Sequence, residues 1–136
     1  DYRIGLEEKI VGMKATSNGL IVGTEGTPFL VTGSDPSAMI AIKIETAEAC
    51  LSKRSMVDMG EVVMFAGPDG LMAAAGATVQ NATEQLITPA QWQEKYYPDT
   101  LTGFYWQGRY VGFYNTGSGF GGLCLTLGKV LTRLQT

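Results

Sequence analysis

Histidine is absent from this sequence, and cysteine occurs only twice, at Cys50 and Cys124. Without histidine the chain has no Ser-His-Asp triad, no Cys-His pair and no histidine-ligated zinc. Both cysteines lie in apolar surroundings, which predicts two small buried thiols, although a disulfide between them stays open because sequence cannot test its geometry. We therefore expect no catalytic residue, no cofactor, no metal site and no enzymatic activity.

Carboxylates are the remaining candidates for acid–base chemistry. The pairs that lie close in sequence are Glu7 with Glu8, Glu45 with Glu48, and Asp58 with Glu61. A glycosidase holds two such acids across a cleft, and short spacing on turns does not place them so. We interpret these pairs as solvated turn acids, and we expect Asp58 and Asp69 to hydrogen-bond the backbone of their own turns. A hydrolase is the third and weakest functional hypothesis.

Long apolar runs and dense basic clusters are also missing. No stretch approaches the roughly 18 apolar residues of a membrane span. All 13 acidic residues precede residue 100, and only Arg109, Lys129 and Arg133 are charged after it. This basic density is too low for a dedicated nucleic-acid binder. We expect no membrane span and no specific nucleic acid, and because the first residue is Asp1 rather than Met we expect a piece of a longer protein or a processed product.

Glycine is abundant instead, with 18 residues, and hydrophobic residues make up 45% of the chain. Such a composition favours many short strands joined by tight turns. Residues 53–75 show this best, with one turn at Met59-Gly60 and a second at residues 68–70. Residues 117–122 match the spacing GxGxxG, but strand-like residues and no acid follow them, so we interpret residues 116–122 as a flexible connection rather than a dinucleotide site.

One short helix is predicted at residues 88–97. Thr88 is a suitable N-cap, Pro89 suits the first helical position, and Gln91 completes a capping box. The Tyr97-Pro98 step is expected to end the helix.

Turn glycines recur at intervals of about 40 residues, as blades of a β-propeller do. The second turns of the units are predicted at Gly26, Gly70 and Gly108, and the first turns at Gly19, Gly60 and Gly103. We therefore predict a mainly β fold of antiparallel meanders in a propeller-like arrangement of about three blade-like units, near residues 9–45, 49–80 and 101–134. Because three blades are fewer than the usual four to eight, residues 1–136 are expected to be a single β domain or a fragment of a larger ring.

Four stretches of the sequence resemble a series seen in virion proteins of tailed phages and prophages. They are residues 55–60 (Ser-Met-Val-Asp-Met-Gly), 65–71 (Phe-Ala-Gly-Pro-Asp-Gly-Leu), 88–92 (Thr-Pro-Ala-Gln-Trp) and 107–111 (Gln-Gly-Arg-Tyr-Val). The resemblance covers roughly residues 18–115. It implies a propeller-bearing tail or neck component, similar to the nozzle proteins of short-tailed phages. It also implies a location in the virion after synthesis in the bacterial cytoplasm, and it carries no catalytic residues.

Aromatic residues are the strongest functional signal in the sequence. The candidate group consists of Trp92, Tyr96, Tyr97, Tyr105, Trp106, Tyr110 and Tyr114. Packing of the helix onto the sheet, a subunit interface and a glycan platform are the three interpretations of this group. They lead to two main hypotheses: a non-enzymatic virion scaffold that binds copies of itself, other virion subunits or the remainder of its own polypeptide, and a carbohydrate-binding module for host recognition.

Overall fold

The computed structural model describes residues 9–16, 19–33, 39–44, 49–60, 62–76, 78–126 and, for the backbone, 130–134. Within these ranges the chain forms three four-stranded antiparallel sheets and one α-helix. This confirms the prediction of a mainly β fold built from antiparallel meanders, with one short helix. Each sheet comes from one contiguous part of the sequence, so neighbouring strands in a sheet are also neighbours in the chain.

The first sheet has the order β1-β2-β3-β4. Its strands are β1 (Ile10–Thr16), β2 (Gly19–Thr24), β3 (Phe29–Thr32) and β4 (Ile40–Lys43). Apolar residues alternate between the two faces of β2, with Ile21 and Gly23 on the face toward the middle sheet. A side chain at Gly23 would meet Cys50, so this glycine allows close approach of the chain that leads into the middle sheet.

The middle sheet has the order β5-β6-β7-β8. Its strands are β5 (Val57–Asp58), β6 (Val63–Ala66), β7 (Leu71–Ala75) and β8 (Thr78–Asn81). A short 3-10 helix, Lys53–Ser55, precedes it. All four residues of β6 are buried, as expected for a strand that is covered on both faces.

The last sheet has the order β12-β11-β10-β9, preceded in the chain by the helix. The elements are α1 (Pro89–Tyr96), a 3-10 helix Pro98–Thr100, β9 (Thr102–Trp106), β10 (Arg109–Asn115), β11 (Phe120–Thr126) and β12 (Val130–Leu134). The predicted turn at Gln107-Gly108 joins β9 to β10, and both residues have positive φ, at 49° and 77°. Positive φ at both positions is the signature of a two-residue hairpin turn that matches the strand twist.

The middle sheet lies between the other two, and alternation along β6 shows how. Val63 and Phe65 belong to a core shared with the first sheet. Met64 and Ala66 belong to a second core shared with α1 and the last sheet. Because successive side chains of a strand point to opposite faces, the first sheet covers one face of the middle sheet, and the helix and last sheet cover the other.

The capping box predicted for the helix is present in full. The N–H of Gln91 donates to the Thr88 hydroxyl at 3.1 Å, and the Thr88 N–H donates to the Gln91 side-chain oxygen at 3.0 Å. The helix ends at Tyr97, which adopts the left-handed conformation with φ 43° just before Pro98.

One finer prediction stays untested and two differ from the structure. No ring is shown among the described residues and the sheets are not closed, so the propeller arrangement and its blade number stay predictions. Gly103 is not a turn residue but lies inside β9, opposite Gly112. Residues 116–122 are not a flexible connection: Asn115 accepts the N–H of Gly117 at 2.7 Å in a tight turn, and β11 begins at Phe120.

Candidate interaction surface

The structure divides the predicted aromatic group between the interior and the surface. Trp92, Tyr96, Tyr110 and Tyr114 are buried, Tyr97 is partly buried against the same core, and Tyr105 and Trp106 are exposed. The seven residues therefore do not form one surface. Five of them act inside the molecule, and two remain available to a partner.

The buried aromatic residues pack the helix onto the last sheet, as one interpretation of the sequence has it. Trp92 stacks on Tyr96 with ring centroids 5.7 Å apart, and Tyr96 meets the Tyr114 ring edge-on at 5.7 Å. Tyr97 stacks on the same Tyr114 ring at 5.9 Å. The indole N–H of Trp92 donates to the Gly67 carbonyl at 2.7 Å, which ties the helix to the middle sheet as well.

Tyr110 connects the last sheet to the chain that enters the middle sheet. Its hydroxyl donates to the Ser55 carbonyl at 2.7 Å. The Ser55 hydroxyl donates to the Ser52 carbonyl at 2.6 Å and accepts the Ala66 N–H at 2.9 Å. The hydroxyl groups of Tyr110 and Ser55 both have hydrogen-bond partners, so this buried network stabilises the fold. Burial raises the pKa of the Tyr110 hydroxyl far above its ordinary value.

Cys50 lies beside this network and is a free thiol, as is Cys124. The Sγ of Cys50 donates to the Ser52 carbonyl at 3.4 Å. Burial raises the pKa of Cys50 to about 11, against a small lowering effect of its hydrogen bonds to Ser52 and Ser55. A thiol with so high a pKa is a poor nucleophile at neutral pH. The interpretation as a small buried thiol is confirmed for Cys50, whereas Cys124 is only partly buried.

Trp106 and three exposed phenylalanines lie on the side of the last sheet that points away from the middle sheet, whereas Tyr105 lies opposite Tyr110 on the other side of β9. We call the side that carries Trp106 the outer face; its members are Phe104, Trp106, Val111, Phe113, Phe120 and Cys124. Strand register places them together, because Val111 lies opposite both Phe104 and Cys124, and residues directly opposite in antiparallel strands share a face. Phe104, Trp106, Phe113 and Phe120 are 52%, 54%, 41% and 69% exposed.

A shallow apolar depression of about 400 Å³ occupies the centre of the outer face. It is lined by Phe104, Tyr105, Trp106, Val111, Phe113 and Cys124. Phe104 and Phe113 meet edge to face across the two strands, with centroids 6.1 Å apart. At the end of the hairpin the guanidinium of Arg109 lies over the Trp106 ring, 5.6 Å from its centroid. Cation–π contacts of this kind hold the indole in place.

Sequence reasoning found Trp106 but did not list Phe104, Phe113 or Phe120 as site residues. Period-two alternation does place Phe104 and Trp106 on one face, and the same alternation joins Val111 to Phe113. The alternation does not show which of the two faces is buried. The opposite side of β10 carries Tyr110 and Tyr114, is equally aromatic, and is the buried one.

Asp58 is the one member of the predicted carboxylate pairs that lies within the described residues. The Asp58 carboxylate accepts the Gly60 N–H at 2.8 Å, which confirms its predicted role in its own turn. The other members of the predicted carboxylate pairs, Glu7, Glu8, Glu45, Glu48 and Glu61, lie outside the described residues. Among the residues that the structure describes, no group of three or more acidic or cysteine side chains lies close enough to hold a metal ion.

Within the described ranges, no helix has the length and apolar character needed to cross a membrane. No protein-family model matches this chain, and no curated protein sequence matches it. A functional proposal therefore rests on two observations, the geometry of the outer face and the sequence resemblance.

Proposed function

We propose that this chain is a non-enzymatic structural protein of a phage virion, placed in the tail or neck, that acts as a rigid β scaffold through subunit interfaces. The observation that carries the proposal is the outer face, where Phe104, Trp106 and Phe113 stand in solvent around one apolar depression and Phe120 is exposed on the same side. A contiguous exposed apolar patch on a well-packed domain is typical of an interaction site. Aromatic residues are also enriched in protein interfaces.

The virion assignment comes from the sequence resemblance, and the fold gives it a physical setting. Four-stranded antiparallel meanders are the units of a β-propeller, and the proposal takes the three sheets to be consecutive blades. A further sheet packed on the outer face of the last sheet would supply the subunit contact, much as the last sheet covers the middle one. That sheet would come from another subunit or from the remainder of a longer polypeptide.

Immunogold electron microscopy of virions purified from the source, with antibodies raised against this chain, tests the virion assignment. We expect label at the tail or neck of intact particles. Mass spectrometry of the same particles gives the stoichiometry of the chain. Particles that contain none of this polypeptide would rule out a structural role in the virion.

A carbohydrate-binding role in host recognition is the second candidate, because Tyr105 and Trp106 expose flat aromatic rings. Sugars also require polar groups beside the ring, and the depression is lined almost wholly by apolar side chains. A glycan array and a tryptophan fluorescence titration distinguish the roles, with Trp106→Ala expected to abolish any response. Trp92→Ala is not a suitable test, since Trp92 is buried and its loss affects folding. No response to any glycan removes this candidate.

A further inference from the structure

We propose that the outer face of the last sheet binds a second copy of this chain, outer face against outer face, so that the protein forms a dimer with two-fold symmetry. This inference rests on the proposed function and deepens it, because it names the partner of the interaction surface. It follows from the area, the charge and the surroundings of that surface.

The exposed area suits a dimer contact. Aromatic side chains present about 150–250 Å² each, so the exposed fractions of Phe104, Trp106, Phe113 and Phe120 leave about 400 Å² of aromatic surface in water. Two copies in contact would bury about 800 Å² from these side chains alone, and the surrounding residues of the face bring the total above the roughly 1,000 Å² expected of a specific interface. We therefore expect a dimer of moderate affinity whose population depends on concentration.

The charge on this face favours self-association over a charged partner. None of the six members of the outer face is charged, and the other described residues on the same side of β9, β10 and β11 add one charged side chain, Arg109. Arg109 lies at the hairpin end and its guanidinium already contacts the Trp106 ring. Two such faces can meet at their apolar centre without burying an unpaired charge, which would oppose association. An acidic or basic partner would find no complementary charges at that centre.

The first sheet differs from the outer face in that the centre of its far side is buried. On β2, Val22 alternates with residues that face the middle sheet, so it points away from that sheet. Val22 is nevertheless only 2% exposed, and its neighbour on that face, Val31, is 3% exposed. The exposed apolar residues of this sheet lie instead in its edge strands β1 and β4: Ile10, Met13, Ile40 and Ile42. A head-to-tail contact between these strands and the outer face is therefore the alternative that the experiment below has to distinguish.

Analytical ultracentrifugation of the full chain tests the proposal directly, over about 1–200 μM, which covers dissociation constants of moderate affinity. We expect a monomer–dimer equilibrium for the unmodified chain. Phe113→Glu should raise the dissociation constant at least tenfold, because two opposed carboxylates would enter the apolar contact. Met13→Ser is the matched control, since Met13 is exposed to a similar degree on the first sheet and should leave the dissociation constant unchanged.

Thiol labelling gives a second readout that locates the contact. Cys124 lines the depression, and in a Cys50→Ala background it is the only thiol. Its rate of reaction with iodoacetamide should fall at least fivefold as the protein concentration rises through the dissociation constant. In Phe113→Glu the rate should be independent of concentration. Far-UV circular dichroism of each variant verifies that the fold is retained.

The outcomes separate this inference from the proposed function. A strict monomer over the whole concentration range overturns the dimer, and particle labelling then decides the virion role independently. An oligomer that is unaffected by Phe113→Glu, or in which Cys124 stays equally reactive, overturns the outer-face contact but leaves a scaffold role intact. Equal weakening by Met13→Ser would assign the contact to a head-to-tail arrangement and would also overturn the proposal.

Discussion

Gly103 shows how a single residue without a side chain fixes the contact between two sheets. It lies in β9, one strand away from Tyr110, whose ring occupies the space where a Cβ at position 103 would stand. That placement lets the Tyr110 hydroxyl reach the Ser55 carbonyl at 2.7 Å. The sequence predicts a turn at Gly103 because glycine is common in turns. The actual reason for glycine is the Tyr110 ring, which belongs to the next strand and is therefore not visible in the local sequence.

Replacement of Gly103 by alanine should therefore destabilise the protein. We expect Gly103→Ala to lower the free energy of unfolding by about 1–3 kcal/mol, because the added methyl group forces the Tyr110 ring to move within a packed core. Gly119→Ala is the control, since a Cβ there meets nothing within 4 Å. Urea denaturation followed by circular dichroism measures both. Equal midpoints for the two variants would contradict the packing role of Gly103.

The buried thiol of Cys50 makes the free energy of unfolding depend on pH in the alkaline range. Its pKa is raised from 9.0 to about 11 by burial, so the unfolded chain loses this proton at a lower pH than the folded chain does. Stability is therefore complete below about pH 9 and falls as the pH rises toward 11, by up to about 2–3 kcal/mol from this group.

Urea midpoints at a series of pH values from 8 to 11 measure this effect. In Cys50→Ala the decline should be shallower, although Tyr110, whose pKa is raised in the same direction, keeps part of it. Identical slopes in the two proteins would show that Cys50 is not the group responsible.

Among the secondary-structure elements, α1 shows the limit of local sequence signals. They predict the residue at which the helix begins, but not the part of the protein against which the helix packs. The capping box needs only Thr88 and Gln91, three positions apart, and it forms as predicted. The partner of Trp92 is the Gly67 carbonyl, 25 positions away in a turn of the middle sheet. A local pattern places the start of a helix but contains no information on a partner so distant in sequence.

Loss of the cap should be felt as a modest loss of stability. Thr88→Ala removes the acceptor of the Gln91 N–H, and we expect the free energy of unfolding to fall by about 1 kcal/mol. Glu94→Ala is a control in the same helix, because Glu94 is exposed and alanine favours helix, so its effect should stay within a few tenths of a kcal/mol. Thermal unfolding by calorimetry compares them, and a Thr88→Ala protein as stable as the control would exclude a contribution from the cap.

The start of β11 shows why glycine-rich segments mislead. Residues 116–122 have the composition of a linker, yet β11 begins at Phe120 and includes Gly121. A Cβ at position 121 would collide with the Tyr114 ring. Here glycine serves a strand that packs against a large side chain, and only the neighbouring strand reveals the reason.

For the molecule as a whole, the sequence predicts that the strands form repeated meanders, but it does not predict how the resulting sheets stack on one another. Turn spacing pointed to repeated meanders, and three four-stranded sheets are present. Which aromatic residues are exposed depends on the stacking order of those sheets. Trp92 has polar neighbours in sequence and is buried, whereas Trp106 follows Phe104 and Tyr105 and is exposed, so the position of the sheets rather than the local sequence decides which is covered.

Strand β6 makes a final prediction possible, because its alternate residues belong to two cores. Phe65 faces the first sheet and Met64 faces the helix and last sheet. A single rigid strand cannot lose one face and keep the other, so the two cores should unfold together. We expect Phe65→Ala, with a cost of about 3–5 kcal/mol, to destabilise the far core as much as its own.

Trp92 reports on the far core, and it becomes the only tryptophan in a Trp106→Phe background. In that background, Phe65→Ala should lower the urea midpoint of Trp92 fluorescence by the same amount as the midpoint of far-UV circular dichroism. Met13→Ala, at an exposed position of the first sheet, should move neither. If the fluorescence midpoint stayed in place while the dichroism midpoint fell, the first sheet would unfold separately. The stacked sheets would then behave as independent units rather than as one rigid scaffold.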